Sequence, residues 1–458
     1  MQELTWMSAM KRLFLAAYLG NLIIVIIFWI IAAGPSLIVT SPLPLKNWGP
    51  FWWSLGRLFG LVGMSLVLFQ LVLIGRLKWL EGRYGFDSME RLHQENGRIG
   101  LSMLVMHPLF LIIGNSLNTG EDFGTSFLAI VQQFPLTILS FAGIILLTCI
   151  VLTSNPLVIK RFSYEKWYGL HVFNYFMFSL VFLHQFMYGI DFYTIPAFMV
   201  YWLALYIFAI GNFLAFRWIK PFRLRARHHF FIETVKPETH DTVSLVVSGE
   251  HMNQFRFQAG QFVLLRVLTK GFKWQVHPFS ISALPDGEHV RFTVKALGDY
   301  TEKLVKIEPG VQLMMDGPLG VFTAAASKKP KSLLIAAGSG ITPIRSLAEQ
   351  LAKDRPGQDM VLVYGNKTMD DIIFHDELAS LSAQYNFPIH HFLSRENRDE
   401  DGYHQGRMSI PEIAKIVPDY LEREVFMCAP QQMMRSLKKD LIQSGIPKAS
   451  IYGEEFAW

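Results

Sequence analysis

The sequence predicts an all-α bundle of six transmembrane helices, followed by a small antiparallel β-barrel and a doubly wound parallel α/β domain. Three observations predict this order. Of the 458 residues, 51% are hydrophobic, which is too many for an ordinary soluble chain. The long apolar runs are confined to the first 220 residues, and short alternating runs follow them. From Lys331 onward, buried strands alternate with helical segments. We therefore expect domains at 1–220, 221–328 and 329–458.

Six apolar runs have lengths near the ~20 residues that cross a bilayer as a helix. They lie at about 13–33, 54–75, 92–114, 127–152, 167–190 and 194–217. Lysine and arginine are concentrated before the first run, between the second and third, between the fourth and fifth, and after the sixth. The positive-inside rule then predicts a multi-pass protein of the cell membrane, with both termini and the soluble half in the cytoplasm. The net charge of +5 fits such basic loops, and the sequence shows no nucleic-acid motif.

Histidine is confined to two of these runs in the membrane half. The third run holds His93 and His107, and the fifth holds His171 and His184, with separations of 14 and 13 residues. Each separation covers roughly 20 Å along a helix, so that His93 and His171 share one depth and His107 and His184 the other. Two facing pairs can hold two stacked, non-covalent haems, whereas pore or packing roles are the alternative. Thirteen residues miss the starting face by about 140°, so the fifth helix needs a bend, a π-bulge or differing rotamers.

Arg57 is a charged residue near the start of the second run. A haem propionate is one candidate partner. An interfacial arginine whose guanidinium extends to water is the other interpretation, and the sequence leaves both open.

Three motifs in the soluble half carry candidate binding residues. They are HPFSISA (277–283), LGDYT (297–301, after Lys295) and AGSGITP (337–343). In the last motif, Gly338 and Gly340 let the backbone approach a pyrophosphate at a helix N-terminus. Thr342 can cap that helix and Pro343 suits its first turn, but Pro343 replaces the third glycine of the dinucleotide fingerprint. Each motif alone is a weak signal.

The order of these motifs, together with DGPLG (316–320), CAP (428–430) and the terminal YGEEFAW, resembles the ferredoxin–NADP reductase superfamily. Because this soluble half follows six spans with paired histidines, the sequence resembles the NADPH oxidase and ferric reductase family over nearly the whole chain. The resemblance implies FAD, two b-type haems, and NADPH or NADH as cofactors. It also implies an enzyme that passes a hydride to FAD and then single electrons across the bilayer to an outer acceptor.

The resemblance assigns roles by position. Along the flavin it places His277, Pro278, Phe279 and Ser280. At the FAD phosphates it places Lys295, Gly298 and Thr301. At the pyrophosphate of the nicotinamide dinucleotide it places Gly338, Gly340, Ile341, Thr342 and Pro343. Cys428 would lie beside the reacting atoms of nicotinamide and flavin, although CAP replaces the usual Cys-Gly-Pro. Phe456 would cover the flavin, with Trp458 as the alternative because the chain runs past Phe456. Lys367 and Arg407 are candidates for a 2′-phosphate contact or are surface charges.

The sequence is compatible with three functions. A superoxide-generating NAD(P)H oxidase comes first, because two axial histidines would keep O2 off the outer iron and favour outer-sphere transfer. A ferric-chelate reductase would use the same electron path, and Glu121 and Asp122 in an outer loop could attract its cationic substrate. A non-enzymatic haem membrane sensor or channel is the third, and the flavin and dinucleotide motifs oppose it. Regulatory partner subunits are compatible with all three.

Overall fold

The computed structural model describes residues 2–38, 48–77, 80–81, 84–155, 158, 164–272, 275–398 and 400–453. The chain divides into two units. The first comprises Met1–Arg83 and Ser88–Arg217, and the second Tyr84–Asp87 and Trp218–Trp458. The main boundary therefore falls close to residue 220, where the composition changes.

The described residues of the first unit form helices joined by short turns. Its helices are α1 (Gln2–Ile38), α2 (Gly49–Ile74), α3 (Phe86–Thr119), α4 (Phe123–Gln133), α5 (Thr137–Thr153), α6 (Tyr164–Phe173), α7 (Tyr175–Tyr188), α8 (Ile190–Thr194) and α9 (Pro196–Phe213). Within the part of the chain that the structure describes, five stretches of helix are long and apolar enough to cross a membrane. Apolar side chains exposed along α1 and α9, such as Ile23 and Ile207, are what a lipid-facing surface requires.

The fourth predicted span is not one straight helix. Helices α4 and α5 meet at a break where the axis bends by 115°. Pro135 lies in this break, and it supplies no backbone N–H to continue the helix. The Thr137 hydroxyl donates to the Phe134 carbonyl at 2.6 Å instead. If the bent pair is one span, the total is six.

The second unit opens with a π-helix (Leu214–Ile219 at the boundary) and α10 (Lys220–His228), followed by two three-stranded antiparallel sheets. The strands are β1 (Phe231–Thr239), β2 (Thr242–Ser248), β3 (Phe262–Val267), β4 (His277–Ser280), β5 (Val290–Lys295) and β6 (Leu313–Leu319), with the short helix α11 (Asp299–Leu304) before β6. The sheet orders are β1-β2-β5 and β4-β3-β6. Backbone bridges Phe231–Gln312 and Ile281–Phe292 connect the two sheets at both edges. Their inward side chains, including Leu245, Leu265 and Phe292, form one core.

The rest of the second unit is a six-stranded parallel sheet of order β10-β9-β8-β7-β11-β12. Its elements are β7 (Lys331–Ala337), α12 (Ile341–Asp354), β8 (Asp359–Asn366), α13 (His375–Tyr385), β9 (Ile389–Leu393), β10 (Tyr403–Gln405), α14 (Ile410–Ile416), β11 (Glu424–Cys428), α15 (Gln431–Gln443) and β12 (Ile451–Gly453). Helices α12 and α13 cover one face of the sheet and α14 and α15 the other, each with its own buried core. This is the predicted doubly wound arrangement, in which ligands bind at the carboxyl ends of the strands.

Candidate cofactor sites

The first pair of membrane histidines is His93 on α3 and His171 on α6. Their ring centroids lie 6.0 Å apart with the planes inclined at 54°. Two imidazoles that ligate one metal ion from opposite sides, with bonds of about 2.0–2.1 Å, have centroids roughly 6.3 Å apart. The observed separation therefore fits a single metal ion between the rings. Both Nδ1 atoms are buried without a hydrogen-bond partner among the described residues.

The second pair is His107 on α3 and His184 on α7, and both rings line one cavity of about 340 Å³. The Nδ1–H of His107 donates to the Gly56 carbonyl at 2.8 Å. Nδ1 of His184 lies 2.8 Å from the Val181 carbonyl, which can only accept, and 2.8 Å from the Ser140 hydroxyl. Because Nδ1 carries the hydrogen in both rings, each Nε2 keeps its lone pair for a metal. The structure thus brings the four histidines together in the pairs that their spacing predicts.

The helix that carries His171 and His184 changes its winding between them. Helix α6 ends at Phe173, α7 begins at Tyr175, and Asn174 joins the two. The Asn174 N–H donates to the His171 carbonyl, and the Met177 N–H donates to the Asn174 carbonyl, so both bonds span three residues. Such 3₁₀ turns advance about 20° more per residue than an α-helix, which removes part of the 140° mismatch. The sequence predicts a bend, a π-bulge or differing rotamers in this helix, and the structure has 3₁₀ hydrogen bonds at Asn174.

A row of glycines on α2 allows α3 to approach closely, and sequence reasoning missed it. A Cβ at Gly56 would lie 3.0 Å from the Leu111 side chain, one at Gly60 2.7 Å from Nδ1 of His107, and one at Gly63 3.0 Å from the Leu104 side chain. Small residues spaced by about one helical turn are a signal of close packing between membrane helices. The spacing in SLGRLFGLVG carries that signal.

Arg57 forms a two-point ion pair with Asp191 at the wall of the cavity that the second histidine pair lines. Its Nε donates to Asp191 Oδ2 at 3.0 Å, and its Nη2 also contacts Oδ1. The Asp191 side chain is buried. A bidentate pair of this kind holds both groups in fixed positions. The sequence left Arg57 between a propionate and water, and it did not indicate Asp191, which belongs to a segment predicted as an outer loop.

The AGSGITP loop joins the end of β7 to α12. Gly338 has φ +53°, a left-handed conformation that favours glycine, and a Cβ on Gly340 would lie 2.0 Å from the Cys428 carbonyl oxygen. Pro343 lies in the first turn of α12, as predicted. The predicted cap at Thr342 is wrong, because the helix begins at Ile341 with Gly340 as its N-cap, and the Thr342 hydroxyl donates to the Ser339 carbonyl at 2.9 Å. The positive end of the helix dipole at this N-terminus suits a phosphate.

The HPFS stretch is strand β4, and it lies beside the AGSGITP helix. Ser346 of α12 donates to the carbonyl of Ile281 at 2.9 Å, one residue beyond HPFS. On the other side, the ring of Tyr300 lies 3.9 Å from that of His277. The Tyr300 hydroxyl is buried without a partner among the described residues. These contacts fit a flavin along β4, with Pro278 and Phe279 half-buried.

The residues predicted at the FAD phosphates already have partners within the protein. Lys295 Nζ lies 3.2 Å from Asp241 and 3.7 Å from Asp371. The Thr301 hydroxyl accepts from the N–H of Leu297 at 2.9 Å and from that of Gly298 at 3.1 Å, and it thereby shapes the loop. Contact of these residues with FAD stays a prediction.

Three cations follow the carboxyl ends of neighbouring parallel strands. Lys367 follows β8, and Arg407 follows β10. Sequence reasoning missed Arg395 after β9, whose N–H donates to the Lys367 carbonyl at 2.9 Å. An arginine near this edge is the device that accommodates a 2′-phosphate in doubly wound folds. Phe456 and Trp458, the predicted flavin covers, lie outside the described residues.

An apolar helical unit with paired histidines and a two-part nucleotide-binding unit define a membrane-bound flavin-dependent oxidoreductase. Three family profiles match the chain in this order: a ferric reductase like transmembrane component at 59–183, an FAD-binding domain at 227–323 and an oxidoreductase NAD-binding domain at 334–439. This order of domains is the architecture of the NADPH oxidase and ferric reductase family.

Individual relatives are more distant. The chain is 29% identical over 212 residues to an NADPH oxidoreductase of Mycobacterium tuberculosis. The aligned region covers 45% of this chain and 54% of the relative. It is also 30% identical over 234 residues to the NADH oxidoreductase HCR of Escherichia coli. This aligned region covers 50% of this chain and 66% of the relative. The chain thus spans between half and two thirds of these relatives. A solved FAD/NAD binding domain of nitric oxide dioxygenase from Vibrio cholerae superposes with a TM-score of 0.42 at 24% identity, over 50% of this chain and 99% of that one.

Proposed function

We propose that this protein carries electrons from cytoplasmic NAD(P)H, through FAD and two b-type haems, to O2 at the outer face, which gives superoxide. The observation that carries the proposal is the pairing of His93 with His171 and of His107 with His184. When bound, the nicotinamide supplies a hydride, the flavin separates it into single electrons, and the haems relay them. The chain's part is to bind and orient these groups.

The membrane residues set the reaction at the outer face. His107 and His184 line the same cavity, and each keeps an Nε2 lone pair, so these two residues would hold a haem iron there and leave it no site for O2. O2 would then accept one electron without binding the metal, and superoxide forms without a proton. A ferric chelate can accept by the same outer-sphere route. Asp122, which could attract such a chelate, also caps α4 by accepting from the N–H groups of Gly124 and Thr125.

The residues of the soluble half would position the nicotinamide so that its hydride passes to the flavin. The Gly338–Gly340 loop would hold the dinucleotide pyrophosphate, and Gly340 is packed against Cys428, beside which the nicotinamide would lie. Ser346 links the same helix to the end of the flavin strand. Lys367, with Arg395 and Arg407, would favour NADPH over NADH.

The orientation follows from the basic loops, with both termini and the nucleotide-binding unit in the cytoplasm. We count the bent pair α4–α5 as one span, which gives six. We also count the two antiparallel sheets, bridged at both edges, as one closed barrel.

The test is an assay of the purified protein with NADH and NADPH in parallel, using cytochrome c reduction that superoxide dismutase inhibits. We expect dismutase-sensitive reduction, with a lower KM for NADPH. A parallel assay with a ferric chelate under anaerobic conditions distinguishes the acceptors. Turnover only with the chelate would overturn the O2 assignment, and the absence of turnover with both would indicate a sensor or channel.

A further inference from the structure

Two histidines of neighbouring strands meet on one face of the parallel sheet, away from the residues assigned above. His390 is on β9, and His404 is on β10, the edge strand. Because His404 is in register with Phe392 and residues two apart in a strand share a face, the His390 and His404 side chains lie on the same side. Nδ1 of His390 and Nε2 of His404 are 3.1 Å apart.

We propose that His390 and His404 together bind a borderline divalent transition-metal ion such as Zn²⁺. Metal–imidazole bonds of about 2.0–2.1 Å, drawn from two nitrogens at this separation, meet at about 98°. That angle lies between the octahedral and tetrahedral values. Both rings are half-buried, so they can move slightly apart and admit the ion between the two nitrogens. This site does not depend on the proposed electron path.

The surroundings fit a nitrogen-ligated cation. The ring of His404 stacks on Phe392 at 5.0 Å with an interplanar angle of 29°, which fixes its plane. Burial, together with neighbouring His404, lowers the pKa of His390, and Asp401 opposes this shift by its negative charge. The neutral imidazole is the form that ligates a metal. Asp401, exposed on the loop before β10, is a candidate for a third, oxygen ligand, with water completing the set.

A hydrogen bond between two neutral imidazoles is the competing account of the 3.1 Å contact. It predicts no metal affinity above that of other histidines on this surface. Another group of possible ligands, His240, Asp241 and Asp371, has the Lys295 ammonium in its midst, whose charge opposes a cation. The decisive quantity is therefore the difference in binding between matched variants, not the total.

The experiment uses the full-length holoenzyme, purified on a tag without histidine and freed of loose metal by a chelator. Zn²⁺ binding is measured by equilibrium dialysis with elemental analysis, for the wild type and for His390→Ala, His404→Gln and the double His390→Ala/His404→Gln variant. We expect each single change to weaken one site by at least tenfold and the double variant to lose it. His229→Ala, which removes an exposed histidine 3.3 Å from Glu250, is the control and should bind as the wild type does.

Folding of each variant is followed by its flavin absorbance and thermal unfolding. Zn²⁺ should raise the unfolding temperature of the wild type and of His229→Ala, and leave that of the double variant unchanged, because only a native site couples binding to stability. Equal Zn²⁺ affinity and stoichiometry in the wild type and a folded double variant would overturn the proposal. The contact would then be an imidazole–imidazole hydrogen bond alone.

Discussion

The replacement Gly60→Ala should remove one of the two proposed haems while leaving the flavin reaction intact. The added Cβ would lie 2.7 Å from Nδ1 of His107 and 2.9 Å from its Cε1, whereas ordinary contact begins at 3.4 Å. The imidazole would therefore have to move by about 0.7 Å. Metal–ligand distances tolerate only about 0.2 Å, and the hydrogen bond from His107 to Gly56 at 2.8 Å would be strained as well. Loss of such orienting contacts weakens metal binding by about 10–100-fold.

The substitution should not unfold the helix, since alanine favours a helix over glycine by about 1 kcal/mol. Gly100→Ala is the matched control, because it gains the same helix preference and its Cβ would meet Leu66 at an ordinary 3.4 Å. Haem content per protein and a spectroscopic redox titration provide the measurement. We expect about two haems for Gly100→Ala and close to one for Gly60→Ala, with unchanged flavin bleaching by NADPH. Two haems with wild-type potentials in Gly60→Ala would refute the assignment of His107 as a ligand held by α2.

Three further outcomes follow from the contacts described. Replacing His184 by Ala should abolish electron transfer beyond the first haem while NADPH still reduces the flavin, which stopped-flow absorbance resolves; loss of flavin reduction would contradict the path. Gly340→Ala forces a Cβ against the Cys428 carbonyl and should cost about 1–3 kcal/mol in the free energy of unfolding and raise the KM for NADPH, and an unchanged KM would count against the loop. Glu377→Gln should cost about 2–3 kcal/mol, seen by denaturant unfolding, because Glu377 pairs with Arg291 at 2.9 Å and contacts Arg345.

The Glu377 cluster also predicts a pH dependence. Burial opposes ionisation of Glu377, but the Arg291 hydrogen bond and the Arg345 charge outweigh it and hold its pKa below the usual 4.5. A depressed carboxyl pKa stabilises the folded state above about pH 4.5, and that contribution is lost as the pH falls through the lowered pKa. Wild-type stability should therefore fall more steeply than that of Glu377→Gln below pH 4.5. Parallel acid titrations of both proteins would contradict this assignment.

Hydropathy and periodicity predicted the positions of the helices because the bilayer fixes their length. The predicted run at 54–75 corresponds to Gly49–Ile74, and the run at 92–114 to Phe86–Thr119. The break at Pro135 escaped prediction, since the residues on both sides are equally apolar and only the proline marks it. The short strands β10 and β12 escaped as well, because strands of three residues carry too few alternations to show a period.

The histidine pairs of the candidate site could be predicted, because histidine is rare in the apolar half and the members of each pair lie far apart in the sequence. Four histidines in an apolar half give their pairing by depth alone. The contacts that orient them could not be predicted, because Gly56 acts through its carbonyl and Gly60 through the absence of a side chain. The partner of Arg57 was missed for a different reason, since Asp191 lies in a polar stretch that hydropathy assigns to water.

The two histidine pairs differ in what orients them. Nδ1 of His107 and of His184 is held by backbone carbonyls, whereas Nδ1 of His93 and of His171 is buried without a partner among the described residues. The protein itself therefore holds the rings of His107 and His184 in place, whereas the described residues give no such restraint to Nδ1 of His93 and His171. We expect the first pair to keep its orientation without a cofactor, and the second pair to take its final orientation from what binds between the rings.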